Sequence, residues 1–518
     1  MSSIEVVLGL LVVATILAGV ARRSRLPEPI LLVIAGLVIG FIPGLPHIEL
    51  EPELVFLFFL PPILYAAGFF TSIRDFKANL LPILLLSIGL VLITTLGVAF
   101  VLKALVPSIP WAAAVAFGAI VSPPDAVAAT AIFRRLGVPR RIVTILEGES
   151  LVNDATALVA LRFAVVVAMG GTFSAVDASM SFLTVALGGI AIGLAIGWLT
   201  RLVLTRIEDA TLGIVWTLLV PIAAYLPAEA VGVSGVLSVV VAGIYAGRVG
   251  ARSLNSAQRV SGIATWQVVL FLINGLVFVL IGLQLPFILG DLEQPAGELL
   301  GLAVAVSAAV ILIRIVWVYL SLWLPKRLSH RMRADPTMPK AKYTAVIAWA
   351  GMRGVVSLAA ALALPLDFPE RSLIQFLTFC VILATLVGQG LTLPLLIRTL
   401  GIHAGDEVAE EEREARLVAA EAAVQRIARL RDEWPEHGEL IEQLEAQYEH
   451  RVSHIEPQNG APHDENEREL LEHRIIRRKV IDAERDAVIR LRDEGRVSDE
   501  AMRRLERDLD LEELRLEA

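Results

Sequence analysis

The sequence predicts an all-α polytopic membrane protein of about thirteen transmembrane helices, followed by a helical cytoplasmic tail. Three observations carry this. The 518-residue chain is 56% hydrophobic and only 19% charged, with a mean hydropathy of +0.69, far from the composition of a soluble domain. Apolar runs of about 17–30 residues recur as far as Leu400, each long enough to cross the hydrocarbon core. Charge collects beyond them: residues 1–405 hold 26 Lys and Arg against 20 Asp and Glu, and residues 406–518 hold 19 against 33. A membrane domain (1–405) of net charge +6 thus precedes an acidic domain (406–518) of net charge −14. That balance argues against a nucleic-acid partner. The single cysteine, Cys380, excludes an intramolecular disulfide.

In chain order the spans read 4–21, 29–46, 53–70, 79–105, 111–133, 142–170, 178–205, 211–227, 231–248, 262–289, 299–325, 342–364 and 371–399. The eighth and ninth are short, with the polar Glu229 near their boundary. Loops after odd-numbered spans carry the basic residues, among them Arg22, Arg23 and Arg25, Arg134 and Arg135, Arg140 and Arg141, and Lys326 to Lys342. Loops after even-numbered spans carry acids such as Glu49, Glu51, Asp177, Asp291, Glu293 and Asp367. The positive-inside rule makes the odd loops cytoplasmic, with the N-terminus outside and the tail inside a cell membrane. Residues 4–21 are not a secretory signal, because their positive cluster follows the apolar stretch.

The tail has apolar residues at helical spacing among Glu and Arg, with breaks at Trp434-Pro435, at Pro457 to Gly460, and at Gly495, where Ser498 can cap a last helix. His450 and His454 stand one turn apart, but no third ligand is near, so a solvated helical domain is the better reading. No cofactor is expected.

Against this apolar background eight ionisable residues fall in or near the embedded parts of spans: Asp125, Glu147, Glu149, Asp154, Arg162, Glu229, Arg314 and Arg353. Such residues are costly in a bilayer and mark function by default. Asp125, Asp154, Arg314 and Arg353 each lie roughly eleven to fifteen residues into a span, which at about 1.5 Å per residue is close to the midplane. Helix breakers point to the same depth. Asp125 follows Ser122-Pro123-Pro124, and Arg353 sits in Gly351-Met352-Arg353-Gly354. Two prolines remove two backbone donors. The fifth span runs inward and the twelfth outward, so the breaks are related by inversion. Residues 1–170 and 211–399 then form two inverted six-span halves linked by the seventh span. Paired interrupted spans of opposite direction mark a transporter's substrate site.

Buried acid–arginine pairs can simply hold helices together, and Glu149 with Arg314, or Asp125 with Arg353, can do only that. Asp154 differs, because the acids outnumber the arginines once those pairs form. An unpaired carboxylate in a poor dielectric can hold a proton on one side of a membrane and exchange it for a cation on the other. All eight histidines lie outside the apolar runs, so a proton relay in the membrane must use carboxylates. Glu147 reads as a mouth or structural residue, Arg162 as an outward-reaching or pairing residue, and Glu229 as an entrance charge or a solvated loop acid.

The chain resembles the monovalent cation:proton antiporters of the NhaP and sodium–proton exchanger type. The stretches that carry the resemblance are FFLPPILYAAGFF (58–70), GAIVSPPDAVAATAIF (118–133), LEGESLVNDATALVALR (146–162), AEAVGVSGVLSVVVAGI (228–244), FLINGLVFVLIGLQLP (271–286), WAGMRGVVSLAAALALP (349–365) and VGQGLTLPLLI (387–397). They cover the membrane body in family order. The resemblance implies a thirteen-helix antiporter fold, with the fifth and twelfth helices crossing where they break and a core that slides against a dimerising scaffold. It implies a homodimer exchanging Na⁺ or Li⁺ for H⁺, with Asp154 as the ion and proton carboxylate. Asn153, Ser150 and Asp125 would be its polar neighbours, and Asp154 and Ser150 ligands of the transported Na⁺. Glu149 would pair with Arg314, and Arg353 would sit at the second crossing. Asn before Asp resembles the electroneutral branch, which suits pH and sodium homeostasis. One departure concerns selectivity: where some relatives place an acid in the third span, Tyr65 is followed by Ala66 and Ala67.

Three other readings compete. K⁺/H⁺ exchange needs more or looser oxygen ligands. A channel would favour a repeated filter, which the sequence lacks. A transport-inactive scaffold would not need the Asn-Asp pair. An enzyme is the weakest reading, since no G-x-S-x-G, H-E-x-x-H or P-loop pattern occurs.

Overall fold

A computed structural model describes residues 3–24, 27–42, 52–171, 175–290, 295–323, 341–402, 407–455, 463–494, 496, 505 and 508–513. The protein is all-α, with no strand among the described residues. The membrane helices are α1 (Ser3–Ser24), α2 (Glu28–Gly40), α3 (Pro52–Phe70), α4 (Leu80–Leu105), α5a (Trp111–Val121) with α5b (Ala126–Leu136), and α6 (Arg140–Ala168). They continue with α7 (Ala175–Leu204), α8 (Ala210–Ala230), α9 (Gly235–Ser253), α10 (Ser256–Leu283), α11 (Ala296–Val318), α12a (Ala341–Trp349) with α12b (Val355–Leu362), and α13 (Arg371–Thr399). The protein is a multi-pass membrane protein.

Several ends differ from those read in the sequence. The tenth helix starts at Ser256 rather than 262, because Asn255 and Gln258 form a reciprocal capping box. The fifth runs on to Leu136, where Gly137 takes the left-handed conformation (φ 59°) that ends a helix most cheaply. The eighth holds Glu229 inside its last turn, and the turn Val231–Ser234, with Gly232 at positive φ, separates it from α9. Half of the twelfth span is too short to cross a bilayer on its own, so its two pieces depend on the break between them.

Between apolar helices in lipid the hydrophobic effect gives no drive, so close backbone approach must supply the attraction. Two interfaces do this with glycine. Where α2 meets α10, a Cβ on Gly36 would strike the Val279 carbonyl and one on Gly282 the Val33 carbonyl. Where α3 meets α9, a Cβ on Gly68 would strike the Val240 carbonyl and one on Gly243 that of Tyr65. Inversion maps helices two and three onto nine and ten, so these are one contact used twice.

The buried apolar side chains fall into two cores. The larger joins α2, α4, α5a, α5b, α6, α11, α12a, α12b and α13, with Val277–Ile281 of α10. The smaller joins Leu64 and Tyr65 of α3, Val220 and Ala224 of α8, Val236–Val240 of α9 and Trp266 of α10. Leu151 and Ala155 of α6 belong to this second core, while Ile142, Ile145 and Leu161 belong to the first. Helix α6 therefore lies on the boundary.

Met1–Ala404 and Gly405–Ala518 form two compact units. The second unit contains α14 (Glu407–Glu433), α15 (Gly438–Ile455) and α16 (His463–Asp493). Helices α14 and α15 pack as a hairpin turned at Trp434 and the 3₁₀ turn Pro435–His437. The side chains of His450 and His454, the break at Pro457–Gly460, and Gly495 and Ser498 lie outside the described residues, as do the loop basic residues Lys326–Lys340 and the loop acids Glu49, Glu51, Asp291 and Glu293.

Candidate functional site

The two breaks meet. After Val121, Pro123 and Pro124 offer no N–H, so the last carbonyls of α5a lose their helical partners. The chain then extends at Asp125 (φ −95°, ψ 124°), whose Oδ1 caps α5b by accepting from the Val127 N–H at 2.8 Å. The Asp125 N–H itself donates to the Met352 carbonyl at 2.7 Å, joining the two interruptions through main-chain atoms. Gly354 opens α12b, and a Cβ there would overlap the Asp125 carboxylate. One carboxylate thus sits against the N-terminal ends of both half-helices, where the macrodipole favours an anion.

The arginines serve the opposite ends. Arg353 is buried and donates from Nε to the Val121 carbonyl at 2.9 Å, from Nη2 to the Ser122 carbonyl at 3.4 Å, and from Nη1 to the Gly351 carbonyl. The sequence reading that allowed Asp125 to pair with Arg353 is therefore corrected. The guanidinium is taken by backbone carbonyls at the two breaks, and the Asp125 carboxylate accepts from the Val127 N–H. Arg314, also buried, forms a two-pronged ion pair with Glu149, Nη1 to Oε1 at 2.6 Å and Nη2 to Oε2 at 3.0 Å. Its Nη2 also donates to the Ile347 carbonyl near the end of α12a, at 3.0 Å. Gly351 makes room for this side chain, since a Cβ would meet Arg314 Cδ.

Helix α6 brings the remaining groups. Asn153 is buried and donates from Nδ2 to the Pro124 carbonyl at 2.9 Å, while its Oδ1 has no partner among the described residues. Asp154, the next residue, is 6% exposed, with neither an ion-pair nor a hydrogen-bond partner among the described residues. It lines a cavity of about 420 Å³ together with Pro123, Asp125, Ser150 and Gly354. That cavity runs from the crossing to Glu28, Arg134 and Glu147, where the Arg134 side chain is 76% exposed and stands 3.9 Å from Glu147. Along α6 its lining comprises Glu147, Ser150, Leu151 and Asp154 and goes no further. Ser122 does not line it, because its hydroxyl turns back to the Ala119 carbonyl at 2.9 Å. Arg162 and Glu229 lie apart from the crossing and pair with each other at 2.8 Å.

Sequence reading missed Thr130, Gln267 and Asn274, which also line the cavity, and Thr385, whose Oγ1 accepts from the Arg353 N–H at 3.1 Å. Asn274 carries a readable signal, a lone amide within an unbroken apolar run. Thr385 carries none, since a threonine in a span commonly bonds its own helix, as this one also does to the Val381 carbonyl. Among the described residues no three His, Cys, Asp or Glu are grouped to hold a resident metal.

Crossed half-helices whose ends are neutralised by buried charges, beside a cavity lined by Asp154 and Asp125, are the architecture of a secondary ion transporter. Residues 9–399 match the family model for the transmembrane sodium/hydrogen exchanger, and the chain belongs to that family of cation/proton antiporters. It is 36% identical to an uncharacterised Na⁺/H⁺ exchanger of Mycobacterium tuberculosis, covering 98% of this chain and 96% of the relative. A sodium, potassium, lithium and rubidium/H⁺ antiporter of Bacillus pumilus is 35% identical over 76% of this chain and 61% of its own. The fold is similar to that of the sodium proton antiporter MjNhaP1 of Methanocaldococcus jannaschii, with a TM-score of 0.61 at 21% identity, over 77% of this chain and 98% of that one.

Proposed function

We propose that this chain exchanges Na⁺ or Li⁺ for H⁺, one for one, at Asp154, with Ser150, Asn153 and Asp125 as its polar surroundings. The observation that carries this is the isolation of Asp154. Glu149 is held by Arg314 and the Asp125 carboxylate by the Val127 N–H, so of these three acids only Asp154 faces the cavity without a partner among the described residues. A cation arriving through the cavity and a proton compete for the same oxygens, and that competition is antiport. The transported ion is substrate, held for one half of the cycle. The arginine-rich ends beside the cavity support a cytoplasmic opening, with the N-terminus outside and the tail inside the cell membrane. A homodimer and a role in pH and sodium homeostasis belong to the same proposal.

The test uses purified protein in liposomes with a trapped pH dye, pulsed with Na⁺, Li⁺ or K⁺. Wild type gives a cation-driven proton flux, and Asp154→Asn gives none. Wild-type flux in the variant would sink the proposal. A wider selectivity that includes K⁺ has one supporting observation, the 35% identity to a relative named for four alkali cations. A K⁺ pulse as effective as Na⁺ would favour it.

A further inference from the structure

Helix α6 is fastened at the end where the cavity does not reach. Arg162 stands eight residues, about two turns, beyond Asp154, and its Nη2 reaches Glu229 Oε2 at 2.8 Å across 67 residues of sequence. Glu229 is itself anchored, because its Oε1 accepts from the Gly235 N–H at 3.1 Å, at the start of α9. Gly235 permits this, as a Cβ there would press on Glu229 Oε1 and on the Tyr225 ring. The acid therefore belongs to the α8–α9 hairpin, whose apolar side chains form the smaller core, while Arg162 travels with the helix that carries Asp154.

Accepting the exchange reading above, we propose that Arg162 and Glu229 are a positioning pair: they latch α6 to the α8–α9 hairpin and close the pathway at that end while the cavity at the Arg134–Glu147 end is open. Two features fit a contact made and broken in every cycle. The pair bridges the boundary between the two cores, so relative movement of those bodies must stretch it. Its side chains are 52% and 31% exposed and stand within the last two turns of their helices, where an ion pair is cheaper to release than one buried in a core. The Glu149–Arg314 pair, by contrast, is fully buried, so breaking it would leave each charge uncompensated. Opening the far end means releasing Arg162 while Glu229 stays on the N-terminus of α9.

The test reads accessibility from that end. Leu158 lies one turn beyond Asp154 and one turn before Arg162, packed partly into both cores. Full-length protein carrying Cys380→Ala and Leu158→Cys is placed in liposomes, sorted for orientation, and treated with a membrane-impermeant thiol reagent on each side. Arg162→Gln, or Glu229→Gln (whose amide oxygen can still accept from Gly235), is expected to speed labelling from the Arg162 side by about five-fold or more. The reversed pair Arg162→Glu with Glu229→Arg is expected to return it toward the parent rate. Single variants that label as the parent does would overturn the latch. So would a folded reversed pair that labels as fast as the singles. Labelling needs no ion flux, so a parent protein that exchanged no cation would refute the exchange reading while this readout still judged the latch.

Discussion

Glu149 and Arg314 are both fully buried, paired with each other while Arg314 also donates to the Ile347 carbonyl, so each charge depends on its partner. Breaking such a pair from one side leaves an uncompensated buried charge, at a cost of about 3–5 kcal/mol. Glu149→Gln should therefore lower the thermal unfolding midpoint in detergent, and a double variant with Arg314→Met should recover part of the loss. Equal midpoints for Glu149→Gln and wild type would refute this account. At this scale the sequence was informative about depth and poor at partners. Counting residues from span ends brings Asp125, Asp154, Arg314 and Arg353 to one level, because helical rise is uniform. Which carbonyl receives a guanidinium is another matter. Arg353 meets Val121 from 232 positions away, and that depends on how two half-helices approach.

At the level of elements, the breaks were legible because their cause is local: Pro123-Pro124 withholds donors, and Gly351 with Gly354 clears space. The angle at which α5b and α12b meet was not, since it rests on the overlap that any larger residue at position 354 would create. Gly354→Ala should push the Asp125 carboxylate off both helix ends, costing about 1–3 kcal/mol of stability and most of the exchange rate. An alanine variant that is folded and exchanges as fast as wild type would show that the close approach is dispensable. The start of α10 was legible and went unread, because Asn255 and Gln258 spell a capping box six residues before the expected boundary.

Considered as one molecule, the charges at the crossing nearly cancel. Arg314 and Arg353 oppose Glu149, Asp125 and Asp154, leaving one negative charge when all are ionised. One proton or one monovalent cation completes the balance, so a one-for-one exchange moves no net charge. Clamping the membrane potential should then leave the flux unchanged, whereas a cycle carrying one net charge would feel about 2.3 kcal/mol per 100 mV. A flux that follows voltage would exclude this stoichiometry. Charge is distributed unevenly along the chain as well, with net charge +6 over residues 1–405 and −14 over residues 406–518. The glycine contacts that pair α2 with α10 and α3 with α9 were not foreshadowed, as small residues occur throughout the spans.

The bond from the Asp125 amide to the Met352 carbonyl has a consequence for genetics. Main-chain atoms are common to every residue, so any replacement at either position except proline at 125 leaves this link chemically intact. Scanning mutagenesis there will measure a carboxylate and a thioether and pass over the joint between them. Only an amide-to-ester exchange in the backbone, which deletes the donor and spares the side chain, would make it visible.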